Sequence, residues 1–479
     1  MSRFATLREL LTIRSGASWQ RLLALFEDWP KGDERETALL YAKEHLSQWP
    51  DNLRTYPKTH ITELLEKPQD WTPFTLATSL DLSLRGSVTG EQFKAFFRLP
   101  QMATLHTLHL NANYLETLPS EIGHLKSLRK LFLDNNRLHT LPPELGQLHN
   151  LQLLHLNYNH LETFPLEFEK LQALQELYLD HNHFRLLPEQ LLPLENLRTL
   201  HLSQNQLTIL PSQIGQLKSL QKLTLRENNI RYLPESFGEL HNLAEVDLAF
   251  NGLQRFPQQL CALGKLQSLA LHDNQIDTLP EAFGNLHALE TLNISDNKLT
   301  QLPKSFSDLQ ALHYLNVSRN QLSLLPQHFG QLKKLQHAHL HYNQLEALPS
   351  DIGGCRALQT LNLENNQLQD VPKGLFQLEN LRFLQLDQNQ VKELPAEIQG
   401  LQKLEFLSLE DNQLDTLPAE IGELRNLEIF SISSNHISSL PKSFAKLQNL
   451  QQLFLYGNPI KALPGWIHQL EKLGTIDIR

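Results

Sequence analysis

The chain has little cysteine, no block of basic residues and no long apolar run. Its 479 residues include two cysteines, too few for the dense disulfide framework of a small secreted domain. Lysine and arginine together number 42 against 52 acidic residues, and the net charge of −10 argues against binding nucleic acid or an anionic membrane surface. No segment approaches the ~20 apolar residues that a transmembrane helix needs. The sequence therefore predicts neither a membrane span nor a nucleic-acid partner.

Signatures of catalysis are also missing. The sequence contains no GxxxxGK[ST] phosphate loop, no GxSxG nucleophile elbow, no HExxH zinc motif and no CxxC pair. Residues 1–20 have neither a continuous apolar segment nor a small-residue cleavage site, so no signal peptide is predicted. We therefore expect a protein that is not an enzyme, needs no cofactor and is cytoplasmic.

What the chain has in abundance is a repeat of 23 residues. Asparagine returns in register sixteen times from Asn113 to Asn458, and columns of leucine and proline keep the same spacing. The repeat that begins at Leu128 reads LRKLFLDNNRLHTLPPELGQLHN. Its positions 3 to 5 alternate as in a short strand, with Lys130 and Phe132 outward and Leu131 inward. Because one repeat buries too little apolar surface to fold alone, the repeats must fold as a stack around a parallel sheet.

Three further positions of the repeat have predicted structural roles. The asparagine at position 9, as in Asn113, can satisfy backbone groups in the turn after each strand. The Leu-Pro step at positions 14 and 15 suits an extended outer segment, so we expect little regular helix opposite the sheet. Glycine at position 19 predicts a reversal of the chain, for example at Gly146 and Gly422.

These repeats resemble the leucine-rich repeat family, in its 23-residue LPxxIGxL form, over about four fifths of the chain. That form is similar to intracellular Ras-group and Shoc-type scaffolds, to plant disease-resistance repeats and to many bacterial repeat proteins. The resemblance implies an α/β solenoid, a horseshoe with a concave parallel β-sheet that binds other proteins. Because such repeats serve many partners, the resemblance does not identify one.

The N-terminal part of the chain lacks the repeat. Residues 1–78 are expected to form a small helical domain, with one helix that Ser18 caps and that runs to Phe26, a second that begins at Asp33, and a third over residues 59–66. This domain is either a cap over the first repeat or an independent interaction module. It holds four of the five tryptophans, namely Trp19, Trp29, Trp49 and Trp71.

The regular array begins after a short junction. Residues 79–104 are interpreted as a degenerate first repeat, with a strand within residues 76–84 and a helix near residues 91–97. Residues 105–479 then contain 16 full repeats and a terminal strand. Cys261 and Cys355 lie four repeats apart, about 20 Å at ~4.8 Å per strand. A disulfide needs Cα atoms within roughly 7 Å, so we expect no bridge between them.

Outward strand positions hold the candidate binding residues. Position 5 of the first five repeats would form a ridge of aromatic and imidazole rings at a spacing of ~4.8 Å, flanked by Tyr158 and His181 at position 8. Such a ridge is either an interaction hot spot or a ladder of rings that supports the sheet. Its members are His109, Phe132, His155, Tyr178 and His201.

A second candidate surface lies near the C-terminus. Apolar residues fill successive outward positions beside an acidic rim, which suits a partner with basic residues around a hydrophobic anchor. The alternative is a solvated rim on a tolerant surface. The apolar members are Phe383, Phe406, Ile429, Phe454 and Tyr456, and the acidic members are Glu364, Asp387, Glu410 and Asp411.

The repeat that begins at Leu335 departs most from the pattern. Ala338 occupies an inward leucine position, and Cys355 occupies another. His337 and His339 share a strand face ~7 Å apart, and two histidines at that spacing can ligate one zinc ion. No carboxylate or thiolate completes a ligand set on that face, so no metal site is expected.

Together the residues and the resemblance predict a non-enzymatic scaffold that binds a protein partner on the concave face. The partner's identity is not predicted, a monomer is favoured, and a role in intracellular signalling is expected. The alternative is an effector or regulator whose activity lies in the N-terminal domain while the repeats select the target. A secreted effector fits the same residues.

Overall fold

The computed structural model describes residues 3–13, 15–30, 33–46, 55–56, 78–83, 90–470 and 474–477. The chain forms two compact units, Met1–Thr224 and Leu225–Arg479. The predicted helix over residues 59–66 lies outside the described residues, as do Trp49 and Trp71.

The described residues of the first unit include four α-helices. The helix of residues 16–27 begins earlier than expected, because Ser15 caps it and the Ser18 N–H donates to Ser15 Oγ at 3.2 Å. The prediction of Ser18 as the cap was therefore wrong, while the helices expected at Asp33 and near residues 91–97 are present. The bounds are α1 Arg3–Thr12, α2 Gly16–Glu27, α3 Asp33–Leu46 and α4 Gly90–Phe97.

Aromatic side chains hold the first three helices together. Trp29 stacks on Phe26 with 5.5 Å between ring centroids and meets Phe4 edge to face at 5.6 Å. Arg35 Nη2 donates to the Phe26 carbonyl at 2.7 Å, which satisfies a group at the end of α2. The helices therefore share an apolar core of their own, in which Trp19 is fully buried.

The strands of the first unit pair in parallel. The degenerate strand expected within residues 76–84 is present, and its Leu80 aligns with Leu108 of the first regular repeat. A short strand that was not expected, β1, pairs with it on the other side. The strands are β1 Thr55–Tyr56, β2 Ser79–Asp81, β3 Thr107–His109, β4 Lys130–Phe132, β5 Leu153–His155, β6 Glu176–Tyr178, β7 Thr199–His201 and β8 Lys222–Thr224.

The second unit continues the same pattern with strands that again begin every 23 residues. Neighbouring strands pair in parallel without a register shift, as Leu269 with Leu292 shows. Its strands are β9 Glu245–Asp247, β10 Ser268–Ala270, β11 Thr291–Asn293, β12 Tyr314–Asn316, β13 His337–His339, β14 Thr360–Asn362, β15 Phe383–Gln385, β16 Phe406–Ser408, β17 Ile429–Ser431, β18 Gln452–Phe454 and β19 Thr475–Asp477.

Each repeat turns its middle strand residue into the core. Leu131 and Leu154 are fully buried, whereas Lys130 and Phe132 on either side of Leu131 are not. After the Leu-Pro step, short 3-10 turns such as Pro143–Gln147 and Ile214–Gln216 connect back to the next strand. The expectation of little regular helix opposite the sheet is confirmed, and the fold is a leucine-rich repeat solenoid.

Glycine at position 19 is needed for a different reason from the one expected. A Cβ on Gly146 would lie 2.1 Å from the carbonyl oxygen of Glu167 in the next repeat, and one on Gly422 would lie 2.2 Å from that of Ser443. Neither glycine has a positive φ. The glycines therefore allow successive repeats to approach closely and are not required to reverse the chain.

The asparagine column forms the predicted internal ladder. Asn136 Nδ2 donates to the Leu133 carbonyl of its own repeat and to the Leu110 carbonyl of the preceding repeat, both at 2.9 Å. Its Oδ1 accepts from the N–H groups of Asn113 and Leu115, both at 3.0 Å. One carboxamide thus satisfies four backbone groups in two repeats, which explains why a single residue type fills the column.

Position 8, directly before each asparagine, is left-handed throughout. Its φ is 55° at Tyr158, 53° at Gln388 and 74° at Gly457. This conformation aims the position 8 N–H at the next repeat, as when Tyr158 N donates to the Asp180 carbonyl at 2.9 Å. In this region the Cβ of any residue other than glycine lies too close to the following carbonyl oxygen, which is destabilising. The strain recurs in every repeat and is offset by the ladder beside it.

Candidate functional site

The predicted ridge is a continuous column of stacked rings on the sheet face, by which we mean the face that carries strand positions 3 and 5. Successive centroids lie 4.2 Å apart from His109 to Phe132 and 4.9 Å apart from Phe132 to His155. The spacing is 4.1 Å from His155 to Tyr178 and 4.7 Å from Tyr178 to His201. All five rings are half-buried, because each covers the faces of its neighbours. The structure therefore brings together the whole predicted set.

Aspartates at repeat position 7, just after the strands, contact the polar edges of two of these rings. His155 Nδ1 lies 3.2 Å from Asp134 Oδ2, and His201 Nδ1 lies 3.5 Å from Asp180 Oδ2. The other oxygen of Asp134 accepts from the Asn157 N–H at 2.8 Å. Each aspartate therefore ties the strand end to a ring of the next repeat, a link that sequence reasoning did not anticipate.

Tyr178 is held by a carboxylate of its own strand. Its hydroxyl donates to Glu176 Oε2 at 2.9 Å. Burial, followed by this hydrogen bond and the charge of Glu176, raises the pKa of Tyr178 to about 12. The flanking pair at position 8 stacks separately, with 3.9 Å between the ring centroids of Tyr158 and His181. Tyr158 is 51% exposed, so its ring is more accessible than the half-buried rings of the ridge.

The C-terminal candidate surface contains a hollow of about 380 Å³ in the second unit. Phe406 and Ile429 form one wall, and Phe454 and Tyr456 form another. The floor consists of buried serines, and two carboxylates complete the rim. Phe383 does not line the hollow but stacks behind Phe406, with centroids 4.3 Å apart and planes 7° apart. The floor and rim residues are Ser408, Ser431, Ser433, Asp387 and Glu410.

The carboxylates of this hollow are partly used by the strand ends. Asp387 Oδ1 accepts from the Glu410 N–H at 2.7 Å, while its Oδ2 accepts from Gln385 Nε2 at 2.9 Å. Glu364, outside the hollow, accepts from the same Gln385 nitrogen at 3.1 Å. Burial and the charges of Asp387 and Asp411 raise the pKa of Glu410. The rim is therefore an acidic cluster whose members repel one another.

The histidine strand of the Leu335 repeat lies on the sheet face as expected. His337 Nδ1 is 3.1 Å from Thr360 Oγ1, and the His339 ring lies 5.4 Å from the Tyr314 ring between centroids. Burial and the charge of His337 lower the pKa of His339. Within the described part of the chain, no three histidine, cysteine or acidic side chains are placed to hold a metal ion. Cys355 packs in the core, where burial and the charge of Asp351 raise its pKa to about 12.

Sequence reasoning missed a cluster at strand ends of the second unit. The Arg226 guanidinium lies 4.3 Å from the centroid of Phe250, and its Nη1 is 2.8 Å from His272 Nε2. Because arginine has no acceptor, His272 Nε2 must accept that hydrogen bond and be unprotonated. Burial and Arg226 lower the pKa of His272. The available signal was an arginine at position 7 next to a ring at position 8 of the following repeat.

No helix in the described ranges is both long and apolar enough to cross a membrane. None of the curated proteins matches the chain. Models of leucine-rich repeats match residues 126–184, 196–217, 251–344, 356–414 and 424–479.

Three solved structures place the chain among known proteins. It is similar to a leucine-rich repeat protein of Leptospira interrogans, with 34% identity and a TM-score of 0.70 over 88% of this chain and 99% of that one. It is 30% identical to the ectodomain of the receptor kinase GASSHO1/SCHENGEN3 from Arabidopsis thaliana, with a TM-score of 0.62 over 85% of this chain and 54% of that one. YopM from Yersinia enterocolitica is 25% identical, with a TM-score of 0.61 over 97% and 86%. From its repeats and these matches, the chain belongs to the leucine-rich repeat protein family.

Proposed function

We propose that this chain is a non-enzymatic scaffold that binds a protein partner on its sheet face. The observation that carries the proposal is the ridge in the first unit, where His109, Phe132, His155, Tyr178 and His201 form one stacked column. Their outer edges remain accessible, since none of the five is fully buried. Stacked rings lose little conformational freedom when a partner binds, which is how aromatic residues become binding hot spots.

The comparisons support a binding role without naming a partner. The receptor kinase ectodomain at 30% identity was solved in complex with CASPARIAN STRIP INTEGRITY FACTOR 2. We propose that this chain also presents its sheet face to a protein ligand, and that it acts as a cytoplasmic monomer in signalling. We further propose that residues 1–78 form a cap or an interaction domain and residues 79–104 a junction to the array of residues 105–479.

Site-specific crosslinking tests which surface binds. A photoreactive p-benzoylphenylalanine in place of Phe132 lies on the ridge, whereas the same replacement at Leu166 lies on the 3-10 turn of residues 166–170 and serves as a control of high exposure, 72%. We expect ultraviolet light to link a partner through position 132 and not through position 166. Crosslinks through position 166 and not through position 132 would contradict the assignment to the sheet face.

A further inference from the structure

The hollow of the second unit combines three features on the sheet face. It has ring and aliphatic walls, a polar floor and an acidic rim within about 380 Å³, inside the ~300–1,000 Å³ range of ordinary ligand sites. Its floor is recessed because position 5 is serine at Ser408 and Ser431, where the first unit carries Phe132 and Tyr178. Beside these serines, Phe406 and Phe454 project from the neighbouring positions, so the hollow has apolar walls above a small polar floor.

Three serines line the floor of the hollow. Ser431 is 7% exposed and Ser433 is 5% exposed, and both line the hollow. Across the described ranges, neither hydroxyl makes a hydrogen bond with another residue, whereas the Ser408 hydroxyl donates to Asp387. A polar group that enters the hollow can therefore donate a hydrogen bond to either hydroxyl oxygen.

The rim also lacks a cation. The salt bridges formed within the described residues include Arg382 with Glu405 and Lys446 with Glu423, but none to Asp387, Glu410 or Asp411. Burial, followed by the charges of Asp387 and Asp411, raises the pKa of Glu410. Among the described residues, no cation compensates the negative charge at the hollow.

Elsewhere in the second unit, the chain packs its own arginines between a ring at repeat position 8 and a carboxylate. Arg226 lies 4.3 Å from the Phe250 centroid and makes an ion pair with Glu227 at 3.2 Å. Arg319 lies 4.5 Å from the Tyr342 centroid and 3.8 Å from Asp296. At the hollow the rings and the carboxylates are present, but no cation–π contact occurs to Phe406, Phe454 or Tyr456 among the described residues.

We propose that the hollow between Phe406 and Tyr456 binds an arginine side chain of a partner protein. The guanidinium would make the same kind of contact that Arg226 and Arg319 make at position 8, against a ring and beside a carboxylate, here with Asp387, Glu410 and the floor hydroxyls in reach. Arginine suits this site better than lysine, because its planar group stacks on aromatic faces and donates several hydrogen bonds in fixed directions. The proposal rests on the proposed function, since it assigns one contact of the protein ligand.

The test uses the full chain and a random library of 12-residue peptides displayed on phage. Peptides selected by the wild type are synthesised with arginine, lysine or citrulline at each arginine and measured by fluorescence anisotropy. We expect arginine in the selected peptides, and at least a tenfold weaker affinity when a single arginine becomes citrulline, which keeps the shape and loses the charge.

Two variants locate the contact. Ser431→Trp fills the hollow, and a ring at position 5 is compatible with folding because Tyr178 occupies that position in the first unit. Asp387→Asn with Glu410→Gln removes both negative charges. Asparagine can still accept from the backbone at position 387, since Asn157 Oδ1, at the same repeat position, accepts from the Asp180 N–H at 2.8 Å. Each is expected to weaken binding at least tenfold. A control with the same loss of charge, Asp273→Asn with Asp296→Asn, should change affinity less than twofold.

Four results would overturn the proposal. The selected peptides lack arginine, the citrulline peptides bind as tightly as the arginine peptides, the control variant loses as much affinity as the hollow variants, or no peptide is selected. Peptides that retain their affinity for both hollow variants but lose it on Phe132→Ala would leave the proposed function standing and refute only the arginine contact. Peptides that bind equally to all sheet-face variants would count against both.

Discussion

The Phe132 ring lies parallel to the His109 imidazole, with centroids 4.2 Å apart and planes 3° apart. Phe132 and His109 are 23 residues apart in sequence and directly paired in neighbouring strands. This relationship shows how the repeat turns a sequence period into a surface, because identical strand positions fall one above another. The stability of the protein and the proposed binding surface both depend on that register.

The asparagine ladder should be essential to stability. Asn251 Nδ2 donates to the Leu225, Leu248 and Ala249 carbonyls, while Oδ1 accepts from the Ile230 N–H at 3.0 Å. Asn251→Ala leaves these groups without partners and should lower the free energy of unfolding by about 1–3 kcal/mol. The matched control is Asn285→Ala at an exposed position, expected to cost less than ~0.5 kcal/mol. Equal midpoints in urea for the two variants would contradict the ladder.

Substitution of two glycines by alanine tests how closely successive repeats approach each other. A methyl group on Gly146 would meet the Glu167 carbonyl oxygen at 2.1 Å, whereas one on Gly264 would meet no atom within 4 Å. Gly146→Ala should therefore lower stability by about 1–3 kcal/mol through overpacking. Gly264→Ala should leave it nearly unchanged or raise it slightly. Thermal unfolding of both variants checks the contrast, and the reverse order would show that the repeats separate easily.

The left-handed backbone at position 8 predicts that glycine is more stable there than a β-branched residue. Gln388 has a φ of 53°, which a β-branched residue adopts with difficulty. Gln388→Val should be less stable than Gln388→Gly by about 1–2 kcal/mol. At exposed Gln367, which is outside the left-handed region, the order should reverse because glycine loses more backbone entropy. Urea denaturation of the four variants measures both differences; the same order at both sites would contradict the conformational argument.

Much of the fold is predictable from the sequence, because a period of 23 residues repeated sixteen times fixes the strands, the core leucines and the ladder. The N-cap at Ser15 was missed because Ser15 and Ser18 both suit that role. The sequence did not reveal why Gly146 is needed, because the distance between successive repeats is known only from the structure. Position 8 did carry a signal, since it holds aspartate or asparagine at Asn135, Asp273 and Asp296.

The candidate site was only partly predictable. Stacking of the ridge follows from strand register, but the links from Asp134 to His155 and from Asp180 to His201 depend on side-chain directions at strand ends. The hollow between Phe406 and Tyr456 arises from small residues, and a search for bulky outward side chains overlooks these serines.

Stability should depend on pH through His272. Burial and Arg226 lower its pKa in the folded state below the ordinary 6.5, so the unfolded chain binds more protons as the pH falls through that ordinary value. The contribution of this group is complete above about pH 6.5 and is lost as the pH falls toward the folded pKa. We expect the unfolding free energy of the wild type to fall more between pH 7.5 and pH 5.5 than that of His272→Asn. An identical fall in both proteins would exclude His272 as a contributor.

The affinity of a partner protein for a ridge variant tests binding through the sheet face most directly. Phe132→Ala with Tyr178→Ala removes two rings that lie outside the repeat core, so circular dichroism should be unchanged. The control Leu166→Ala with Leu186→Ala removes two side chains that are 72% and 58% exposed but lie off the strands. With a partner captured by the wild type and then purified, we expect a loss of at least ~2 kcal/mol in binding free energy, about 30-fold in affinity, for the ridge variant and little change for the control. Full affinity in the ridge variant, with a loss in the control, would contradict binding through the sheet face.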